Sequence, residues 1–170
     1  MKEKNIEYLI KDENNTLINS INKEIKTSIF QKRNNLSGEI SDKGGINIFR
    51  TFTVITDIQP NHNPIIKLNL RTAHYDNDPN NRKLILSRVK EGIFGNAFLI
   101  FLIFTLLTLS IAIYQIIEYG FNEKMEFLAL PILGTLFYVV FELISDFVIY
   151  ILVKKVENIM TDLRIEYKKL

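Results

Sequence analysis

Residues 97–114 read AFLIFLIFTLLTLSIAIY, a run without a single charge. Nothing else in the chain limits its folding as strongly. The polar members are Thr105, Thr108, Ser110 and the Tyr114 hydroxyl, and apolar character extends from Ile93 to Ile117 around Gly95, Asn96 and Gln115. A helix of roughly 20 such residues crosses a hydrocarbon layer of about 30 Å. In water the same helix would expose apolar surface on every side.

A second stretch, Phe127 to Val153, is also long enough to cross, with Pro131 in its first turns, where a missing N–H does least harm. The link Gly120–Glu126 is short, so the two stretches must run antiparallel as a helical hairpin. The spacing therefore predicts an α+β membrane protein in three parts: a cytosolic α+β domain over 1–91, a transmembrane hairpin over 92–153 with spans at about 94–118 and 127–153, and a charged tail over 154–170.

Charge agrees with this division. Residues 1–91 hold 15 basic and 11 acidic side chains; 92–153 hold Lys124 against Glu118, Glu123, Glu126, Glu142 and Asp146; the tail holds five basic and three acidic. Arg82, Lys83, Arg88 and Lys90 precede the first span and Lys154 and Lys155 follow the second, while the link offers only Lys124. Lys and Arg collect on the cytoplasmic side, so both termini are expected there, in a bacterial plasma membrane. Met1–Asp12 is charged and has no signal-peptide core. Tyr114 and Tyr119 suit the outer interface and Tyr150 the inner one.

Glu142 and Asp146 lie four residues apart, on one helical face and about 6 Å apart along the axis. Thr135 and Tyr138 extend that face, with Ser145 beside it. A carboxylate near the bilayer centre costs several kcal/mol unless it faces protein or water, and neither span holds a base to pair with it. Self-association that turns Thr135, Tyr138, Glu142 and Asp146 inward would shelter the acids, and rings of carboxylates line cation-selective pores. Two other readings stay open. An acid could be protonated and bonded to Thr105, Thr108 or Ser110 of the first span, or Asp146 could meet Lys154 or a headgroup. A proton or ion carrier site within a larger complex is the third use of such a pair.

In the first 91 residues, 5–31 are expected to be helical, with faces Ile6–Leu9–Ile10 and Leu17–Ile18–Ile21–Ile25–Ile29. Asn14, Asn15 and Thr16 would cap the second helix. Asn34–Gly45 reads as a loop. INIFRTFTVITDIQ (46–59) predicts a strand. Pro64–Tyr75 predicts a second, in which Ile66, Leu68 and Leu70 alternate with Lys67, Asn69 and Arg71. Pro60–Asn63 would turn the pair into an antiparallel hairpin. A polar turn spans Asp76–Asn81, and Lys83–Val89 begins a strand or helix that leads into the first span. Two strands are unstable alone, so the N-terminal helices or other copies must cover their apolar face. In the tail, Val153, Val156, Met160, Leu163, Tyr167 and Leu170 recur at helical spacing, which predicts a C-terminal amphipathic helix and a short helical bundle.

Enzyme chemistry finds no support. There is no cysteine, no nucleophile–base pair, no HExxH pattern, and no GKS or GKT after Gly44-Gly45. His62 and His74 alone make no zinc site. His62 suits a turn, His74 packing or capping, and Asp57, Asp76 and Asp78 suit turns. No cofactor or metal is expected. Lys67 and Arg71 share one strand face, Arg50 lies on the partner strand, Lys32 and Arg33 end the second helix, and Arg82, Lys83, Arg88 and Lys90 approach the membrane. The basic residues serve as solvated surface and anionic-lipid contact. Gathered in a ring of subunits, Arg50, Lys67, Arg71, Arg82, Lys83, Arg88 and Lys90 would instead attract a nucleotide or a short DNA strand.

The layout, a small basic domain followed by a two-helix hairpin with acids, resembles the small membrane effectors of bacterial antiphage defence, most of all the ion-channel effector of the Hailong system. The resemblance covers the whole chain as architecture, size and Asn/Ile/Lys-rich character, and no family signature carries a functional residue across. It implies a homotetrameric channel held inactive by an oligodeoxyadenylate from a partner nucleotidyltransferase and depolarising the membrane on release. Effectors gated by cyclic nucleotides share the plan. The residues by themselves also allow a non-conducting membrane anchor or adaptor that recruits a cytosolic partner protein.

Overall fold

In a computed structural model, residues 5–12, 14–28, 31–41, 45–51, 64–75, 81–90 and 96–170 are described; the side chains of residues 97, 122 and 123 are not. The chain divides into two compact units, one of residues 1–91 with 148–170 and one of residues 92–147.

The first unit is built on a six-stranded sheet: β1 (Ile6–Lys11), β2 (Leu36–Ile40), β3 (Ile46–Arg50), β4 (Ile66–His74), β5 (Asn81–Lys90) and β6 (Tyr167–Lys169), in the order β2-β3-β4-β5-β1-β6. Every neighbouring pair is antiparallel. The β3–β4 pair expected from alternation is present, with Ile46 opposite Leu70 and Ile48 opposite Leu68. Strand β3 is described only to Arg50. The expected strand positions 52–59, the turns at 60–63 and 76–80 and the joint at 91–95 with Gly92 and Gly95 lie outside the described residues.

Residues 6–11 form a strand, not the first helix expected. Ile6, Tyr8 and Ile10 alternate with Glu7, Leu9 and Lys11, and Tyr8 and Ile10 are fully buried. The period of two wins because β5 offers it a partner, with Ile6 opposite Leu86 and Tyr8 opposite Leu84. The helical stretch is α1 (Thr16–Lys26). Asn15 holds the N-cap position, within the expected Asn14–Thr16 group, but makes no side-chain capping bond; Asp12 supplies those, one carboxylate oxygen accepting the Thr16 N–H at 2.7 Å and the other the Leu17 N–H at 2.9 Å. Two orphan donors of the first turn are thereby satisfied. At the other end the Lys32 ammonium donates to the Glu24, Ile25 and Leu36 carbonyls. Burial holds its pKa below the ordinary lysine value. The expected loop 34–45 contains β2, which pairs with β3 over all five residues.

One sheet face carries the core. Ile48, Leu68, Leu70, Leu84, Leu86, Tyr8 and Ile10 pack against Leu17 and Ile21 of α1 and against Leu152, Val153, Val156, Ile159 and Met160 of α4 (Ala129–Asp162). Each fully buried Leu or Ile contributes about 1.5–3 kcal/mol. The core closes within one chain: of the two expected covers, the N-terminal helix is the one found, joined by α4, so the sheet gives no separate argument for other copies. The expected tail helix is present as far as Asp162, with Val153, Val156 and Met160 buried, and is corrected beyond it. Helix α4 stops at Asp162, where Arg164 takes a left-handed φ of 56°. The Ile165 N–H then reaches the Met160 carbonyl and the Arg164 N–H the Thr161 carbonyl, the paired bonds of a Schellman turn. The chain reverses into β6, which adds to the edge of β1 with Tyr167 opposite Ile10.

In the second unit, α2 (Ala97–Tyr119) is followed by Gly120, a one-turn α3 (Phe121–Lys124), a 3₁₀ turn (Met125–Leu128) and the start of α4. Gly120 has φ 91°, a conformation that favours glycine. Phe98–Tyr119 and Met125–Asp162 are two stretches long and apolar enough to cross a membrane. Within this unit the outer surfaces of α2 and α4 are almost entirely Leu, Ile, Val and Phe, and exposed.

Candidate functional site

The acidic stripe lies on α4. Its position is set by the seam that joins α4 to α2. On α4 the buried or half-buried residues are Pro131, Gly134, Tyr138, Phe141, Glu142 and Ser145; on α2 they include Phe101, Thr105, Thr108 and Ala112. The contacts are specific. The Tyr138 ring meets Phe98 and Phe101 with centroids 5.9 and 5.7 Å apart. Gly134 lies so close to Phe104 that a Cβ there would sit 2.8 Å from the ring.

Of the four expected stripe residues, Thr135 and Asp146 are exposed, Glu142 is half-buried, and Tyr138 is turned into the seam. At about 100° per residue, Thr135, Glu142 and Asp146 span roughly 40° of the helix surface, centred about 70° from the middle of the seam positions, with Glu142 at the margin of the contact. The acids therefore flank the hairpin contact. Ser145 is fully buried, and its Oγ has no hydrogen-bond partner among the described residues. The hydroxyls of Thr108, Ser110 and Thr135 donate to the carbonyls of Phe104, Leu106 and Pro131 in their own helices, so each has an intrahelical acceptor. After α2, the Lys124 ammonium stands over the Tyr119 and Phe127 rings at 5.3 and 5.9 Å.

The seven basic candidates do not gather on one surface. Strand pleat divides them. Lys67, Arg71 and Lys83 point to the sheet face away from the core; Arg50, Arg82, Arg88 and Lys90 point to the core side. Lys67 is 4% exposed and ion-paired to Glu39 at 2.5 Å. That bond lowers the Glu39 pKa. Beside it Asn69 donates to Asn47 at 2.8 Å, and Arg71 donates to the Asn69 Oδ1 at 2.9 Å. Lys83 pairs with Glu7 at 2.9 Å, and Arg82 donates to Asn15. Lys67, Lys83 and Arg82 are thus structural. Arg50, Arg88 and Lys90, which have interactions of their own, lie near the end of the sheet where β5 finishes, with Leu68 opposite Arg88 and Ile66 opposite Lys90. His74 shares the Leu68–Leu70 face as expected but is exposed, opposite Arg82.

Two polar contacts escaped sequence reasoning. The buried Tyr8 hydroxyl donates to Glu157 of α4 at 2.7 Å, and Lys154 pairs with the same carboxylate at 3.1 Å. Burial first, then the bond to Glu157, pushes the Tyr8 pKa well above the ordinary phenol value. No sequence pattern links residues 149 positions apart. No protein-family model, curated protein or solved structure matches the chain.

Proposed function

We propose that the chain is a two-span membrane protein, with α2 and the first part of α4 crossing the bilayer, that assembles into an oligomeric cation channel. The apolar surfaces of both helices need a non-aqueous cover, and lipid supplies it. Arg88 and Lys90 before α2 and Lys154 and Lys155 late in α4 support a cytoplasmic position for both ends. The observation that carries the channel reading is the position of Glu142 and Asp146: on an apolar helix, flanking the intramolecular seam, where a neighbouring copy can enclose them around water. Thr135 extends the lining. Tyr138 belongs to the seam and supports it. In the resemblance to two-helix effectors, the channel acts in bacterial antiphage defence by depolarising the membrane, as a tetramer. A nucleotide or oligonucleotide made by a partner nucleotidyltransferase regulates it. Arg50, Arg88 and Lys90, which share a sheet face, are the residues that meet this anion.

The test is cation flux from proteoliposomes. The double variant Glu142→Gln/Asp146→Asn should lose most of the conductance and cation preference of the wild type. Unchanged conductance in that variant refutes the pore lining. One observation favours a second reading, a non-conducting anchor or adaptor: the sheet unit closes its own core without help from other copies. That reading predicts a quiet membrane-potential dye on expression and a monomer or dimer in detergent.

A further inference from the structure

The sheet has two ends, and they differ. At one, β6 is three residues long with exposed side chains. At the other, β2 (LSGEI) presents an open edge. The Ser41 N–H bonds to the Gly45 carbonyl and the Thr51 N–H to the Asn35 carbonyl. In an antiparallel ladder the residues of one parity face the partner. Residues 35, 37, 39 and 41 therefore bond toward β3, and the N–H and C=O groups of Leu36, Gly38 and Ile40 point outward. Among the described residues no strand pairs with that side. Only the Leu36 carbonyl has a partner there, the Lys32 ammonium at 2.8 Å.

We infer that β2 pairs antiparallel with β2 of a second copy about a two-fold axis at Gly38, joining two sheets into one. The sequence LSGEI is self-complementary in that register. Leu36 meets Ile40 of the other copy on the core side, Ser37 meets its Glu39 on the far side, and Gly38 meets Gly38 at the axis. Each outward N–H finds an outward carbonyl, six bonds in all by ladder geometry. A carbonyl has two lone pairs, so Leu36 can keep Lys32 and accept a second bond. The pairing also explains Ile40. It is 85% exposed at the end of the edge while Leu36, four residues earlier, is fully buried. Self-pairing sets Ile40 in register beside the partner's strand, which removes part of that exposure. Natural open edges are blunted by shortness, charge, proline or bulges; here the Lys32 ammonium guards the Leu36 end and Glu39 lies on the far face, while the outward groups of Gly38 and Ile40 pair with no strand among the described residues. An interface of this kind is isologous. Five residues a side bury less than a free-standing dimer needs, so the contact strengthens copies that are already held close. It rests on the proposed oligomer to hold the copies close, and the cross-link below separates its failure from that of the channel.

The chain has no cysteine, which makes cross-linking clean. In full-length protein, Ser37→Cys/Glu39→Cys should give a reducible dimer, because those positions face each other at a non-hydrogen-bonded pair about 4.5 Å apart between Cα atoms, within disulfide reach. Adding Ile40→Pro should abolish it. That N–H points away from β3, so proline costs no bond of the native ladder. Because Glu39→Cys also removes the partner of Lys67, hydrogen exchange on the wild-type protein gives an independent reading. The Gly38 and Ile40 amides should exchange on the order of tenfold more slowly in concentrated than in dilute detergent solution. Protection independent of concentration would put another segment of the same chain on the edge and overturn the inference. So would an oligomer with no β2 cross-link, which leaves the channel reading standing. A monomer at every concentration overturns both.

Discussion

Replacing Glu39 by glutamine should destabilise the sheet unit by about 1–3 kcal/mol at neutral pH. The reasoning starts from Lys67, which is almost fully buried on β4 and bonded to Glu39 Oε1 at 2.5 Å. Breaking a fully buried ion pair costs about 3–5 kcal/mol, because the remaining charge has lost both water and partner. Two features reduce that here. The Glu39 side chain is about half exposed, so solvent screens the pair, and glutamine keeps one acceptor oxygen near the ammonium. Lys67→Met should cost less, about 1 kcal/mol or under, since the carboxylate left behind is exposed enough to be hydrated. The assay is thermal unfolding in detergent by circular dichroism. At about 2–4 °C per kcal/mol for a chain of this size, Glu39→Gln should lower Tm by roughly 2–12 °C. The pH dependence has a definite sign. The Glu39 pKa is depressed in the folded state, so its contribution is present above the unfolded carboxyl value of about 4.3 and disappears as pH falls through the folded one. The gap between wild type and Glu39→Gln should close below that point. A Lys67→Met variant as damaged as Glu39→Gln, or a gap that persists in strong acid, would show that the buried ammonium is not what the carboxylate holds.

Asp12→Ala removes the acceptor of two N–H groups at the start of α1 and should cost about 1–2 kcal/mol by the same melt. Tyr8 should be missing from the ultraviolet tyrosine titration of the folded protein near pH 10 and appear only on unfolding; its raised pKa means that its contribution is full below the unfolded value of about 10 and is lost as pH climbs toward the folded one. Single cysteines at Thr135 and Asp146 should react with a small thiol reagent in detergent, whereas cysteine at Ser145, buried in the seam unit, should resist until the protein unfolds. Gly134→Leu should open the α2–α4 seam, read as new reactivity of that Ser145→Cys thiol, because the added side chain runs into the Phe104 ring.

What could be read from the residues was what periodicity alone decides. The uncharged run at 97–114 admits one kind of helix, and the alternation of Leu68 and Leu70 with Lys67, Asn69 and Arg71 set both the β4 strand and its faces. The misreadings fall where two periods compete. Ile6, Leu9 and Ile10 fit a helix, Ile6, Tyr8 and Ile10 fit a strand, and only the presence of β5 beside them chooses. Strand β2 has glycine at its centre and β6 is three residues long; neither has local preference enough to be seen, and both exist because a neighbouring strand supplies hydrogen bonds. The end of α4 was hidden because arginine, not glycine, takes the left-handed position at 164. The Gly134–Phe104 contact had a signal that was passed over, the small residue at helical spacing between Pro131 and Tyr138.

The division of the seven basic residues shows how far pattern can go toward a site. Positive charge read along the sequence looks like one patch; folded onto a pleated sheet, it becomes two sets on opposite faces, and the pleat alone separates Arg82 from Lys83. Lys67, Lys83, Arg82 and Arg71 bond Glu39, Glu7, Asn15 and Asn69, and Arg50, Arg88 and Lys90 have interactions of their own. A lysine already bonded to a carboxylate must lose that bond before it can hold a phosphate, so its attraction for an anion is offset by the pair it breaks. Arg50, Arg88 and Lys90 share a face and lie near the strand end that leads toward α2. Substituting these three should weaken any polyanion binding, and with it the steep salt dependence that several phosphate contacts impose. Substituting Lys67 or Lys83 should instead lower stability and leave that salt dependence unchanged.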